Sequence, residues 1–351
     1  MHLHALATAL PSDSFTQREC WDIVRASDRY HRLQRRSQLI LRSVLTGDSG
    51  IATRHFAMPE IERIFERTPD ELNAIFRDAA PRLAGVALKR ALEQAGLHAD
   101  ALDALLVCTC TGYLCPGVSS YVAEQAGLRS DVFLQDLAGL GCAAAIPTLR
   151  AAQGVLAARP GAVVACIAVE VCSAAFYLDD DPGVLLSSCL FADGAAATLW
   201  RDTAGPSGLR CGGFSSLHEP QHRDRIRFEM RDGKLRNLLH ASVPELAASA
   251  VSRLFAAEAA QSGDRPIIRI IAHAGGRDVI QAIEAAVPGY PLDATRAVLR
   301  RCGNMSSPSV LFALEEALAG GKPGPAEDWW LVSFGAGFSA HGCRLGVSAP
   351  T

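Results

Sequence analysis

Continuous apolar runs alternate along this chain with segments whose apolar residues recur at helical spacing. The runs lie at 104–110 (Ala-Leu-Leu-Val-Cys-Thr-Cys), 163–169 (Val-Val-Ala-Cys-Ile-Ala-Val), 267–272 (Ile-Ile-Arg-Ile-Ile-Ala) and 330–334 (Trp-Leu-Val-Ser-Phe). Their lack of polar alternation predicts strands buried on both faces. Helical spacing over 81–95 and 244–261 places a helix before the first and third runs. Another helix is predicted after Cys142 and another after Asn304. Strand and helix alternation of this kind predicts an α/β fold with mostly parallel sheets covered by helices. Residues 12–77 are helix-rich and outside this alternation, with Thr68-Pro-Asp-Glu71 as a helix start.

The alternation is written twice. Pro81-Arg-Leu-Ala-Gly-Val-Ala-Leu-Lys-Arg90 matches Pro244-Glu-Leu-Ala-Ala-Ser-Ala-Val-Ser-Arg253 at an offset of 163. The run 105–110 corresponds to 267–272, and Gly141-Cys142 to Gly303-Asn304, both at an offset of 162. Such a period is too long for a solenoid and predicts an internally duplicated fold. The glycine- and proline-containing loop 204–208 divides it into halves 1–205 and 206–351, with Cys142 in the first and His273 and Asn304 in the second.

Composition removes several classes. The 351 residues are 49% hydrophobic and 20% charged, with a net charge of −3, which excludes a disordered chain and a global basic field for nucleic acid. No apolar run reaches the roughly 18 residues of a membrane span, and Met1-His-Leu-His-Ala lacks a leader pattern, so a cytoplasmic protein is expected. Eleven cysteines is an odd number, and several sit in strand-like runs, which predicts buried reduced thiols. Cys108, Cys110 and Cys115 lack the fourth ligand of a metal site.

Equivalent chain ends in a duplicated fold can face one another near its axis. Cys142, His273 and Asn304 are therefore expected to meet at the seam. Cys142 follows the turn Gly139-Leu-Gly141 and starts a helix, where the helix end lowers a thiol pKa. His273 ends an apolar strand before Ala-Gly-Gly276 and is placed to emerge into a cleft. Asn304 taken alone reads first as a helix cap. A dinucleotide fingerprint at Gly139-x-Gly141-x-x-Ala144 is weakened by its mid-chain place and by Glu170 lying too far on. A papain-like Cys…His…Asn hydrolase lacks its local cysteine motif here and leaves the duplication unexplained.

Several segments together resemble the chalcone synthase family, the type III polyketide synthases of the thiolase superfamily. Gly303-Asn-Met-Ser-Ser-Pro-Ser-Val-Leu-Phe-Ala-Leu314 is similar to its asparagine signature, and His273-Ala-Gly-Gly276 to its histidine motif with alanine for proline. Leu190-Phe-Ala-Asp-Gly194 resembles its gatekeeper segment, and Ser333-Phe-Gly-Ala-Gly-Phe338 its glycine loop with Ala336 for proline. The asparagine surround separates the chain from ketoacyl-acyl-carrier-protein synthases III, which stay an alternative. The resemblance implies a thiolase-like fold, a homodimer, and acyl-CoA and malonyl-CoA as substrates with no further cofactor. It implies that Cys142 carries the acyl chain, that His273 as imidazolium stabilises its thiolate, and that His273 and Asn304 donate to the malonyl thioester oxygen during decarboxylation.

By the same alignment Phe191 and Asn237 are gatekeepers, Asn237 replacing a phenylalanine. Cys110, Cys115 and Ala175 line the cavity in place of Thr, Met and Thr. These exchanges predict a roomy apolar pocket and an aliphatic starter giving a pyrone or resorcinol-type product; a malonyl-CoA-only synthase of aromatic products is the competing expectation. Arg32, Arg35, Arg36 and Arg42 form a basic cluster suited to coenzyme A phosphates, with Ser306 added as a further coenzyme A contact.

Overall fold

The computed structural model describes residues 1–260 and 265–347. Its strands are β1 (His2–Ala9), β2 (Ser14–Thr16), β3 (Thr53–His55), β4 (Ala104–Cys108), β5 (Phe133–Leu137), β6 (Val164–Glu170), β7 (Gly194–Arg201), β8 (Leu209–His218), β9 (Ile226–Arg231), β10 (Lys234–Leu239), β11 (Ile267–Ala272), β12 (Asp328–Gly335) and β13 (Ser339–Val347). Its helices are α1 (Gln17–Ala26), α2 (Asp28–Arg32), α3 (Arg35–Thr46), α4 (Pro69–Ala95), α5 (Val118–Ala126), α6 (Ala145–Ala158), α7 (Pro182–Leu190), α8 (Val243–Ala260), α9 (Arg277–Ala286), α10 (Asp293–Cys302) and α11 (Ser309–Ala319).

Nine strands run in the order β11-β12-β13-β8-β1-β7-β6-β4-β5. Apart from β5, which extends the first half, the pairing is symmetric about the β1–β8 contact, which is a single pair, His2 with Arg210. Outward from there, antiparallel β1/β7 and β6/β7 are mirrored by β8/β13 and β12/β13, and parallel β4/β6 by β11/β12. Parallel pairing thus occurs where apolar runs alternate with helices, and antiparallel strands complete a mixed sheet. This is the duplicated thiolase-like α/β fold.

Burial on both faces explains the unbroken apolar runs. Along β4, Ala104, Leu106 and Cys108 enter one core while Leu105 and Val107 enter the other. One core lies under α4, which crosses β1, β7 and β6. The other lies where α6 and α11 are sandwiched, each touching strands of both halves, while α8 covers β8 and β13 from outside. The residues preceding α6 and α11 are therefore brought together deep in the molecule.

The helix before β4 is longer than the repeat predicts. It starts at Thr68, whose hydroxyl accepts from Glu71 N while the Glu71 carboxylate accepts from Thr68 N, and it continues through Pro81. An interior proline costs about 3 kcal/mol. Burial of Phe76, Ala79, Ala80, Leu83 and Ala84 around it offsets that cost. Its repeat partner Pro244 stands in the first turn of α8, where proline is tolerated. The two prolines are thus not structurally equivalent, and the expected start at residue 81 is corrected to 69. The predicted last residue of α8, at 261, lies outside the described residues.

Candidate active site

Gly141 takes the left-handed conformation (φ +55°), and the chain turns through Gly141–Ala143 into α6. The second half grips this turn. Ser333 Oγ donates to Ala143 O (2.9 Å). Gly335, at the end of β12, lies so close that an added methyl carbon would stand 2.7 Å from Ala143 N, 2.8 Å from Leu140 O and 2.9 Å from Cys142 N. These are backbone atoms that cannot rotate aside. Gly335→Ala is expected to displace the turn and cost about 1–3 kcal/mol of stability. Thermal unfolding and labelling of Cys142 in the variant measure both effects; an unchanged melting temperature and labelling rate would refute this packing argument.

His273 follows β11, and its N donates to Val332 O (2.9 Å). Its ring stands edge-on to Phe334, with centroids 5.2 Å apart. Asn304 is tied into the same seam by main chain: its N donates to Leu190 O (2.9 Å), and Ala192 N donates to its O (2.8 Å). It forms a bridge with Phe191 and precedes α11 by five residues, so it is not a helix cap. Ser306 N donates to Asn304 Oδ1 (2.8 Å), and Asn304 Nδ2 donates to Gly275 O (3.1 Å). Those two bonds fix which end of the amide is oxygen, and they leave the second N–H of Nδ2 unused. Cys142, His273, Asn304, Phe191 and Phe334 all line one cavity of about 580 Å³.

Burial sets the protonation of the pair. It pushes the Cys142 thiol up to about 12 and the His273 imidazole down to about 3. Desolvation thus opposes the charged form of each group, against the expected thiolate–imidazolium pair. No hydrogen bond to a described residue reaches His273 Nδ1.

Behind the thiol lies a carboxylate to which the sequence alone assigns no role at this site. Glu170, at the end of β6, is fully buried and accepts from Thr109 Oγ1, Cys110 N, Thr111 N and Thr111 Oγ1 on one oxygen. Ser307 Oγ (2.6 Å) and Cys110 Sγ (3.2 Å) donate to the other. Ser306 stands between this carboxylate and Cys142, its Oγ 3.3 Å from the sulfur. Ser306 is thus buried at the nucleophile, which corrects its assignment to coenzyme A.

The remaining expected residues are dispersed. Phe191 is buried at the end of α7 on the Cys142 cavity, and Arg54 Nη1 donates to its carbonyl (3.0 Å). Cys110 lines a second cavity of about 670 Å³, with Phe76, Phe228, Leu235, Arg223, Arg227 and Lys234 among its other walls. Ala175 is buried and lines neither cavity; Cys115 is exposed and lines neither. Asn237 is buried on β10 between Leu235, which lines the second cavity, and Leu239, which lines the first. All three had been expected on the cavity wall; only Cys110 of the four exchanged positions is there. Arg32, Arg35, Arg36 and Arg42 are exposed on α2 and α3 and do not line the Cys142 cavity, although Ser43, Val44 and Gly47 of the same segment do. The arginine that lines it is Arg277, at the start of α9, paired with Asp48 (3.5 Å) and Asp278 (3.1 Å). Its place directly after Gly275-Gly276 was the available sequence signal.

Comparison with known proteins agrees with this geometry. Residues 11–207 match the model of the FAE1/Type III polyketide synthase-like protein family, and 257–346 match that of the 3-oxoacyl-[acyl-carrier-protein (ACP)] synthase III C terminal. A 3,5-dihydroxyphenylacetyl-CoA synthase of Streptomyces toyocaensis is 28% identical over 95% of this chain and 86% of its own. A 1,3,6,8-tetrahydroxynaphthalene synthase of Streptomyces peucetius subsp. caesius is 29% identical over 96% and 90%. The crystal structure of the 1,3,6,8-tetrahydroxynaphthalene synthase of Streptomyces coelicolor A3(2) superposes with a TM-score of 0.90 at 25% identity, covering 100% of both chains. With a cysteine, a histidine and an asparagine from two duplicated halves lining one cavity, the chain belongs to the type III polyketide synthase family and is a condensing acyltransferase.

Proposed function

We propose that the chain builds a short poly-β-keto chain from malonyl-CoA on Cys142 and closes it to a hydroxylated aromatic product. The observation that carries this reading is the amide of Asn304. Its oxygen is held by Ser306 N and its nitrogen by Gly275 O, so the spare N–H belongs to a donor beside Cys142 and His273. In the loading step, Cys142 sulfur attacks an acyl-CoA carbonyl; its proton passes to His273 and from there to the departing coenzyme A thiolate, which leaves as the thiol. Malonyl-CoA then loses carbon dioxide. The electron pair becomes an enolate whose thioester oxygen is met by Asn304 and His273. The enolate carbon attacks the Cys142 thioester, forming a carbon–carbon bond and releasing the sulfur. Phe191 and Phe334 wall the site and limit water around the enolate.

The choice of a malonyl-derived aromatic product over an aliphatic starter rests on the second cavity. The apolar-pocket expectation used Cys110, Cys115, Ala175 and Asn237, of which one lines that cavity. Arg223, Arg227 and Lys234 line it as well, which suits an oxygen-rich chain better than an alkyl tail. The two Streptomyces relatives are likewise synthases of hydroxylated aromatic products. Mass spectrometry of incubations with malonyl-CoA alone, and with added acyl-CoAs from acetyl to palmitoyl and coumaroyl-CoA, tests it. Product from malonyl-CoA alone, unchanged by added starters, is expected. Product only with a long acyl-CoA would restore the aliphatic reading, and no carbon–carbon bond formation with any combination would refute condensation.

A further inference from the structure

The carbonyl groups that end α7 are met by donors from three distant parts of the chain. A helix leaves its last carbonyls without intrahelical partners. Cys189 O accepts from Gln17 Nε2 (3.1 Å), and Leu190 O accepts from Asn304 N (2.9 Å). Ser188 O (2.8 Å) and Phe191 O (3.0 Å) both accept from Arg54 Nη1. Arg54 stands on β3, 1% exposed, with its guanidinium 5.1 Å from the centre of the Phe56 ring. Asp193 is close enough to be affected by its charge, yet that carboxylate accepts from Ala57 N, Ser173 N and Ser173 Oγ. Among the described residues the Arg54 side chain therefore donates to carbonyl groups alone. We infer that Arg54 is a positioning residue for the reaction: it fixes the backbone of Phe191 and thereby sets both the wall that Phe191 makes and the Asn304 amide beside Cys142.

The physical case starts from the charge. Burying a cation without a bonded carboxylate is costly. The negative end of a helix offsets part of that cost. The planar guanidinium holds its donors in a fixed geometry, and here the hydrogens of one nitrogen reach two carbonyls three residues apart. A neutral side chain of the same length would leave both carbonyls buried without their donor.

The positioning follows from what those carbonyls belong to. Phe191 N donates to Ser187 O (3.1 Å), so the Arg54 bond holds the other side of the same residue. The next amide, Ala192 N, donates to Asn304 O (2.8 Å), and Asn304 N returns to Leu190 O. The wall residue and the amide donor thus share one short backbone ladder, and Arg54 closes its end. The segment that carries Arg54 is itself fastened on both sides. Ala52 N donates to Arg300 O (2.7 Å), Thr53 Oγ1 to Arg301 O (2.6 Å), and Asp193 N to His55 O (2.9 Å). Gly303 shows how closely Arg54 fits: a methyl carbon there would stand 2.9 Å from Arg54 Cγ. The Arg54 stem occupies the space that a side chain just before Asn304 would need.

The inference rests on the proposed roles of Phe191 and Asn304, and its test separates the two levels. Arg54→Met keeps a buried apolar stem and removes the donors. Arg54→Lys keeps the charge and a donor, which also guards against a folding defect. The first measurement needs no substrate: hydrogen exchange by mass spectrometry on the wild type and both variants. Faster exchange is expected in peptides covering 187–192 and 303–305, with the protection of α4 and α6 kept. The second is kcat and KM for malonyl-CoA decarboxylation, together with carbon–carbon bonds formed per carbon dioxide released. Arg54→Met is expected to lower kcat roughly 10- to 100-fold through a displaced donor, with KM unchanged and fewer bonds formed per carbon dioxide. Arg54→Lys is expected to fall between Arg54→Met and the wild type in each readout. Exchange unchanged at 187–192 and 303–305, or raised evenly over the whole chain, would overturn the assignment. So would a wild-type ratio of bonds to carbon dioxide with kcat lost only in proportion to unfolded protein, since a fastening role alone gives that result. A wild type inactive on malonyl-CoA, with local exchange responding as stated, would refute the substrate reading and support the hold of Arg54 on Phe191 and Asn304.

Discussion

Cys142→Ala is expected to abolish carbon–carbon bond formation while leaving slow decarboxylation of malonyl-CoA. Removing the nucleophile of a catalytic set costs about 10⁴-fold or more in turnover. None of the other ten cysteines offers a substitute on that cavity: its lining contains Cys142 and no other thiol. Decarboxylation depends on different atoms. The Asn304 amide is held by Ser306 N and Gly275 O, and His273 by Val332 O and Phe334, none of which involves the sulfur. The substitution removes one sulfur atom at a turn that β12 holds through the Ser333 hydroxyl on Ala143 O, so the donors keep their places. Carbon dioxide release and product mass, measured side by side, separate the two steps. Retained product formation, or the simultaneous loss of both activities in a folded variant, would contradict this division of labour.

Much of the fold was legible because burial writes itself into sequence. The run that became β6 is apolar throughout since each face meets a separate core; β12 is buried along its whole length, whereas β11, at the sheet edge, exposes Ile268 and Arg269. The convergence of Cys142, His273 and Asn304 followed from duplication alone, since α6 and α11 occupy equivalent places between the two halves. Less legible was β1, whose residues His2–Ala9 mix small, polar and apolar side chains and are strand-forming because β7 pairs with them across the sheet. Pairing at that sequence distance leaves no local pattern.

The polar network was the least legible part. Its members come from the loop after β4, the end of β6 and the segment before α11, and Ser306 is 136 positions from Glu170. The one local signal was a glutamate ending the apolar run Gly161–Val169, since a charge at the end of a buried strand must be met by donors. Cavity walls failed for a different reason. Alignment assigns Asn237, Ala175 and Cys115 to positions along the chain, whereas lining a cavity depends on the direction of each side chain and the neighbours that cover it. Asn237 shows this well: it shares a strand face with Leu235 and Leu239, which line different cavities, and itself lines neither.

Asn304→Ala is expected to lower malonyl-CoA decarboxylation about 10²–10³-fold, the usual cost of one donor to a developing oxyanion. His273→Ala is expected to fall in the same range, and the double variant by less than the product of the two, because both donors serve one oxygen. Asn304→Asp is the sharper experiment. The carboxylate keeps one oxygen on Ser306 N, but its second oxygen takes the place of Nδ2, 3.1 Å from the Gly275 carbonyl oxygen. Two acceptors then face each other in a site where residue 304 is 2% exposed, and the remaining donor to the enolate is replaced by a negative charge. Aspartate must therefore be no better than alanine, despite nearly identical shape. Decarboxylation rates at pH 7 for the three variants, with circular dichroism to confirm folding, decide the matter. An aspartate variant near wild-type activity would mean that residue 304 acts through shape and not as a donor, and near-wild-type decarboxylation in the alanine variant would remove it from the chemistry altogether.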